Sequence, residues 1–291
     1  MDYKYKYHKY KHKYIKLKNS YSKNQFGGNE YRITKNINDG VTDLIKSKNL
    51  SFVVANIDLN TDEQNIGKKI KVNSNKKYEY YGIIEKGNQT KYISKFIQSL
   101  NNNKNISDDV ANLYMEKIIN LFLNAMNKDS AWIAIRASLP TDDFKVPRWH
   151  QDGYYYKARE FSTKKIKLPK LVFVVKGDTT PFKSVSKKVR EDFIELYRKL
   201  YKKLDFQNLN KKLYLDIRKQ LDNLLKKSPT IQASNLQAGI FLVGLKEFAT
   251  IHSEPDIKEK RLFLSIVPGS KDEIEELSKK WNKPFSKPIY G

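Results

Sequence analysis

Apolar positions along the chain change their period several times, and each change marks an element. Residues 51–57 (SFVVANI) form a short apolar run and predict a strand; 78–81 with Ile83 and Ile84 read as strand or loop. Residues 92–100 have helical spacing, and 107–127 carry Val110, Leu113, Tyr114, Ile118, Leu121 and Phe122 at a period near 3.6. Ser107 is the expected N-cap of that helix, with Asp108 and Asp109 in its first turn. Strands are then predicted at 131–137 (AWIAIRA) and 171–176 (LVFVVK), the latter ended by Gly177-Asp178 and Pro181. Residues 186–227 return to helical spacing in two stripes. One runs through Val189, Phe193, Leu196, Tyr197, Leu200 and Leu204, and the other through Leu213, Leu215, Ile217, Leu221, Leu224 and Leu225. Strands follow at 239–245, 248–252 and 261–267, and a helix at 271–281 runs from acidic to basic, matching the macrodipole. No internal repeat is present.

This order predicts an α+β protein. Its expected core is a jelly-roll or cupin-type barrel, with flanking helices and a helical insert at 186–227. The expected division is a basic tail and linker at 1–29, an α/β region at 30–130 packing on the core, and the core itself at 131–291.

Composition narrows the chemistry. The 291 residues contain no cysteine, which excludes a thiol nucleophile, thiolate metal ligands and disulfides, and leads to the expectation of an intracellular protein, cytoplasmic or nuclear. No apolar run approaches a membrane span, and the lysine-rich start lacks the apolar stretch of a secretory signal. The formal charge is +24, from 56 Lys and Arg against 32 Asp and Glu, but only eight of the basic residues are arginine. Lysine enrichment alongside asparagine, isoleucine and tyrosine matches an AT-rich coding bias, whereas nucleic-acid recognition usually enriches arginine as well. The charge still attracts polyanions. Residues 1–18 (MDYKYKYHKYKHKYIKLK) concentrate it, and a solvated tail with non-specific polyanion or nucleic-acid contact is the expectation there. His8 and His12 lie in this tail and are not expected to hold a metal.

The remaining two histidines carry the candidate site. His150 stands in Trp149-His150-Gln151-Asp152-Gly153, and His252 in Ile251-His252-Ser253-Glu254. If 146–152 is extended, His150 and Asp152 share a face, and a histidine from a distant strand completes two imidazoles and one carboxylate. Such a set leaves adjacent metal positions open, as non-haem Fe(II) oxygenases require. Arg261, nine residues after His252, offers a guanidinium for a bidentate pair with a carboxylate, and by period two it shares a face with Phe263 and Ser265. Tyr154, Tyr155, Tyr156 and Arg136 are candidates for the pocket or for substrate contact. Trp149 is expected in packing, and Glu254 and Asp256 in an exposed turn.

The stretches WHQDG (149–153), AGIFLV (238–243), IHSE (251–254) and RLFLSIVPG (261–269) resemble the Fe(II)/2-oxoglutarate-dependent dioxygenase superfamily, in particular its phytanoyl-CoA hydroxylase-like and prolyl-hydroxylase-like members. The resemblance covers roughly 131–270. It implies a double-stranded β-helix fold, iron ligation by His150, Asp152 and His252, and 2-oxoglutarate anchored by Arg261, with Lys176 as the competitor because some relatives use a lysine on an earlier strand. It also implies Fe(II), 2-oxoglutarate and O2 as cofactors, with ascorbate as a reductant. The implied reaction is oxidative decarboxylation of 2-oxoglutarate to succinate, coupled to hydroxylation or demethylation of an unidentified substrate. The chain departs from the family at Ile240, where many members have an acidic residue, at Phe263, often serine or threonine, and in the long insert. Two readings stand beside this one: a non-catalytic cupin-like protein binding nucleic acid or another polyanion, and a cupin dioxygenase that keeps the metal without the co-substrate.

Overall fold

The computed structural model describes residues 30–291 except 86, 102–105, 206 and 245. The tail and linker expected at 1–29, with His8 and His12, lie outside the described residues. Eleven named strands form two sheets among the described residues. They are β1 (Tyr31–Thr34), β2 (Phe52–Asn56), β3 (Lys76–Ile83), β4 (Ser130–Ser138), β5 (Leu168–Lys176), β6 (Pro181–Lys183), β7 (Thr230–Gln232), β8 (Gln237–Val243), β9 (Ile251–His252), β10 (Arg261–Gly269) and β11 (Ile289–Tyr290). The major sheet runs β1-β2-β8-β5-β10-β4-β3-β11, and its only parallel pair among the described residues is β1 with β2. The minor sheet is β7-β6-β9. The architecture is therefore α+β with a large, mostly antiparallel sheet.

Period-two alternation gives the major sheet two different faces. Ile133 and Ile135 of β4, Leu171 and Phe173 of β5, Ile240 and Leu242 of β8, and Leu262, Leu264 and Ile266 of β10 all enter one buried cluster. Helices cover that face: α1 (Ile37–Lys46), α2 (Thr61–Lys69), α3 (Asn88–Leu100), α4 (Ser107–Asp109), a π-helical stretch (Val110–Glu116) and α5 (Lys117–Met126). The single helix expected at 107–127 is thus interrupted by wide turns. Its N-cap is Ile106 rather than Ser107, which is buried and receives a hydrogen bond from Gln98.

The alternate residues face the other way. Trp132, Ala134 and Arg136 of β4, Lys170 and Val172 of β5, Phe241 of β8, and Arg261, Phe263 and Ser265 of β10 line one cavity. The minor sheet packs on this face through Phe182 of β6, whose ring stacks on Phe52 at 5.0 Å and meets Phe241 at 5.4 Å. Gly239 makes the approach possible, because a Cβ there would lie 2.7 Å from the Phe182 ring.

Helix α6 (Ala158–Thr163) precedes β5, and the insert forms α7 (Lys187–Tyr201) and α8 (Lys211–Leu225), capped by Ser186 and Asn210. Phe193, Leu200 and Leu204 of the first stripe and Ile217, Leu221 and Leu225 of the second pack together, and Trp149 and Ile251 join them. The insert is therefore clamped to the segments that carry the two histidines. Trp149, buried as expected for packing, donates its indole N–H to Asp222 of α8 at 2.7 Å. Helix α9 (Lys271–Lys280) starts with a capping box between Ser270 and Glu273. Strand β10 extends through Pro268 and Gly269, which the sequence pattern placed at its end. Among the described residues, no helix is long and apolar enough to cross a membrane.

Candidate metal centre

His150, Asp152 and His252 come together. One ligand atom from each lies within 4.8 Å of the others. The segment around His150 is not a regular strand; a single antiparallel bridge holds it to β9. The His150 N–H donates to the His252 carbonyl at 2.9 Å, and the His252 N–H donates back at 3.0 Å. Side chains extend the seam: Gln151 donates to the Ala249 carbonyl at 2.6 Å, Ser253 Oγ accepts the Arg148 N–H at 2.8 Å, and the Asp152 carbonyl accepts the Gly244 N–H at 2.9 Å.

Each ring is oriented by its own backbone. His150 Nδ1 lies 2.8 Å from the Arg148 carbonyl, and His252 Nδ1 lies 3.2 Å from the Thr250 carbonyl. A carbonyl only accepts, so Nδ1 carries the proton in both rings and the Nε2 lone pairs are free. Those two Nε2 atoms lie 3.6 and 3.7 Å from Asp152 Oδ1 and Oδ2. These separations are too long for good hydrogen bonds, and a cation between the three groups would satisfy all of them. Two neutral imidazoles and one carboxylate form a donor set for a divalent transition metal.

The surroundings fix the charge states of His252 and Asp152. Burial drives the His252 pKa down to about 3, aided by His150, so the imidazole is neutral. Burial alone would raise the Asp152 carboxyl. The Lys170 ammonium outweighs it and holds the carboxyl well below the usual range. Lys170 Nζ donates to Asp152 Oδ2 at 2.8 Å, and Tyr155 donates its hydroxyl to the same oxygen at 2.7 Å. Burial, then the adjacent carboxylate, raises the Tyr155 phenol and keeps it a donor. The Lys170 ammonium sits 5.3 Å from the Tyr155 ring centroid and 5.6 Å from that of Phe241. Phe241 also packs on the His252 ring at 4.7 Å.

The cavity has a volume of about 280 Å³, and Arg261 and Ser265 line it with the triad. Arg261 is only 5% exposed. Its Nε donates to the Asp178 carbonyl at 2.7 Å, and its Nη2 lies 3.5 Å from Thr180 Oγ1. The turn at Gly177 sets this contact. Gly177 has φ +88°, and a Cβ there would lie 2.9 Å from Arg261 Cα. Burial and the charge of Arg136 lower the Arg261 pKa to about 10, so the guanidinium remains charged at neutral pH. Arg136 also lines the cavity, as anticipated.

Three candidates stand elsewhere. Lys176 has the right strand parity for the cavity, but β5 carries a bulge between the partners of Leu262 and Phe263. Lys176 consequently pairs with Leu262 and shares its helix-covered face. Its ammonium donates to the Ile70 carbonyl at 2.9 Å, just beyond the C-terminal end of α2. Tyr156 is buried and donates to the Pro268 carbonyl; Tyr154 donates to the Ile166 carbonyl at 3.0 Å. Neither is among the cavity's lining residues.

Lys170 and Thr180 were not singled out by the sequence. The signal for Lys170 was a lysine inside the apolar run LPKLVFVVK, ahead of the point where the strand appeared to begin. Glu254, expected in an exposed turn, instead lines the cavity and pairs with Arg148, whose Nε donates to it at 3.0 Å. Burial alone would raise its carboxyl, and the hydrogen bond from Arg148 brings it down to about 2.

No family model matches the chain, and no curated protein matches it. Solved structures with a similar arrangement include a Pseudomonas putida prolyl-4-hydroxylase, with 10% identity and TM-score 0.37, covering 80% of this chain and 98% of that one. AviO1 from Streptomyces viridochromogenes aligns with 10% identity and TM-score 0.36 over 79% of this chain and 94% of its own. A C-terminally truncated Neurospora crassa protein, in apo form, aligns with 10% identity and TM-score 0.33 over 80% of this chain and 86% of its own.

Proposed function

We propose that the chain is an Fe(II)- and 2-oxoglutarate-dependent oxygenase that hydroxylates or oxidatively demethylates its substrate. One observation carries this reading. Two Nε2 lone pairs and an ionised carboxylate converge in a cavity that also holds a buried, charged arginine. His150, Asp152 and His252 would hold the iron. The packing of the minor sheet on the cavity face of the major sheet supports a double-stranded β-helix core. Bound iron, with O2 and 2-oxoglutarate, supplies the oxidising chemistry: the oxo acid loses CO2 and becomes succinate as the substrate gains oxygen.

The residues of this chain prepare that chemistry. Arg261 has Nε fixed on the Asp178 carbonyl, which directs its terminal nitrogens to a carboxylate of the co-substrate. Thr180 and Ser265 add hydroxyls within the same cavity. Lys170 and Tyr155 hold Asp152 in one rotamer, so its charge is fixed before a metal arrives. Trp132, Val172, Phe241 and Phe263 exclude water from the reacting centre.

Succinate formation tests the reading. Purified protein with Fe(II), O2, 2-oxoglutarate and ascorbate, which supplies two electrons in place of the substrate, is expected to release succinate, and His150→Ala is expected to abolish it. Iron binding without any succinate would exclude the reading and favour a non-catalytic barrel.

A further inference from the structure

A second cleft opens beside the metal cavity, between α7 and the loops at Gly153 and Gly244. It has a volume of about 380 Å³. Phe193, Tyr197 and Tyr201 lie on it at i, i+4 and i+8, one helical turn apart. Arg198 and Lys202 form a second ladder, each one residue beyond a tyrosine, and Lys246 faces them from the loop. The Tyr197 and Tyr201 rings are parallel, with centroids 4.0 Å apart. Among the described residues that line the cleft, three are cations and Asp152 is the one carboxylate. Asp152 lines the metal cavity too, so the two cavities adjoin at that residue. The space beside Gly153 is open, as a Cβ there would meet nothing within 4 Å.

Parallel aromatic and cationic ladders are complementary to a chain of planar rings joined by anionic links. We propose that this cleft seats a nucleotide of single-stranded nucleic acid as the substrate of the oxygenase described above, and the substrate assignment rests on that reading. The base packs against the exposed part of the tyrosine pair, and the flanking phosphates meet Arg198, Lys202 and Lys246. Stacking on aromatic faces with cations tracking the backbone is the general mode of sequence-tolerant single-strand binding.

Fluorescence anisotropy of a labelled thymidylate octamer, with full-length metal-free protein and polyphosphate as a base-free control, tests the cleft without involving iron. Tyr201→Ala is expected to weaken octamer binding by about tenfold, since each stacked base contributes on the order of 1–3 kcal/mol, and to leave polyphosphate binding unchanged. Lys202→Glu, at an exposed position that folding does not need, is expected to weaken the octamer by a similar factor. Unchanged octamer affinity in Lys202→Glu, or equal losses for octamer and polyphosphate in Tyr201→Ala, would overturn the proposal. Octamer binding through the cleft without succinate formation in the separate assay would remove the oxygenase reading and leave the binding site standing. Succinate formation with no cleft-dependent octamer binding would remove the nucleic-acid proposal alone.

Discussion

His150 and His252, 102 residues apart in sequence, are joined by a reciprocal pair of backbone hydrogen bonds of 2.9 and 3.0 Å, with ring centroids 4.3 Å apart. The two imidazoles therefore share one β-bridge, and whatever moves β9 moves His252 and pulls on its bridge to His150.

Gly239→Ala is expected to do so from outside the site. Its Cβ would meet the Phe182 ring at 2.7 Å, and Phe182 pairs directly with His252 across β6 and β9. The variant is expected to be less stable by about 1–3 kcal/mol, the usual cost of overpacking. It is also expected to bind Mn(II) at least several-fold more weakly, although neither residue is a ligand. Titration calorimetry and thermal melts check both, and unchanged Mn(II) affinity would show that β9 is held independently of Phe182.

Lys170 and Asp152 form a half-buried pair, with side chains 13% and 16% exposed. Lys170→Met leaves the carboxylate with Tyr155 as its remaining hydrogen-bond donor, and stability is expected to fall by about 3 kcal/mol. A bound divalent ion would replace the lost charge. The rise in melting temperature on adding Mn(II) should therefore be larger in Lys170→Met than in the wild type. Equal rises would indicate that Lys170 does not charge-balance Asp152.

Arg261 and Lys176 separate cleanly by experiment. Arg261→Met is expected to weaken 2-oxoglutarate binding by roughly 10- to 100-fold, the scale of a lost charge-assisted hydrogen-bonded pair. Lys176→Met should leave it unchanged, because that ammonium is engaged at the end of α2. Isothermal titration of the Mn(II)-loaded protein discriminates the two.

Much of this site was legible in the sequence because its ligands depend on residue type. With two histidines outside the first dozen residues and no cysteine, His150, His252 and the nearby Asp152 were the obvious donors. Arg261 followed from its place on the strand after His252, and period two grouped it with Phe263 and Ser265. Lys176 obeyed the same parity and still faced the wrong way, because a bulge reverses faces and leaves no mark in a hydrophobic pattern. Tyr154 and Tyr156 were indistinguishable from Tyr155 for a similar reason, as the chain there is irregular and only Tyr155 reaches Asp152. The strands at 131–137 and 261–267 were legible because both sheet faces bury apolar groups. Sheet order depends on long-range pairing, and so the joining of β2 to β8 was not legible.

Away from the site, Glu273 offers a pH test. Burial alone would raise its carboxyl; the Ser270 N–H and the Lys128 ammonium, 2.9 Å away, bring it below its ordinary 4.5. A depressed carboxyl stabilises the fold fully above pH 4.5 and loses that contribution as pH falls through the folded-state value. The difference in melting temperature between wild type and Glu273→Gln should therefore be greatest near neutrality and shrink below pH 4.5. A difference that grows on acidification would contradict the assignment.

The most direct test of the central claim is the visible absorption of anaerobic protein titrated with Fe(II) and then 2-oxoglutarate. A weak metal-to-ligand charge-transfer band is expected to appear only when both are present and to be lost in His252→Ala. No band in the wild type, or an undiminished band in His252→Ala, would contradict an iron site built from His150, Asp152 and His252.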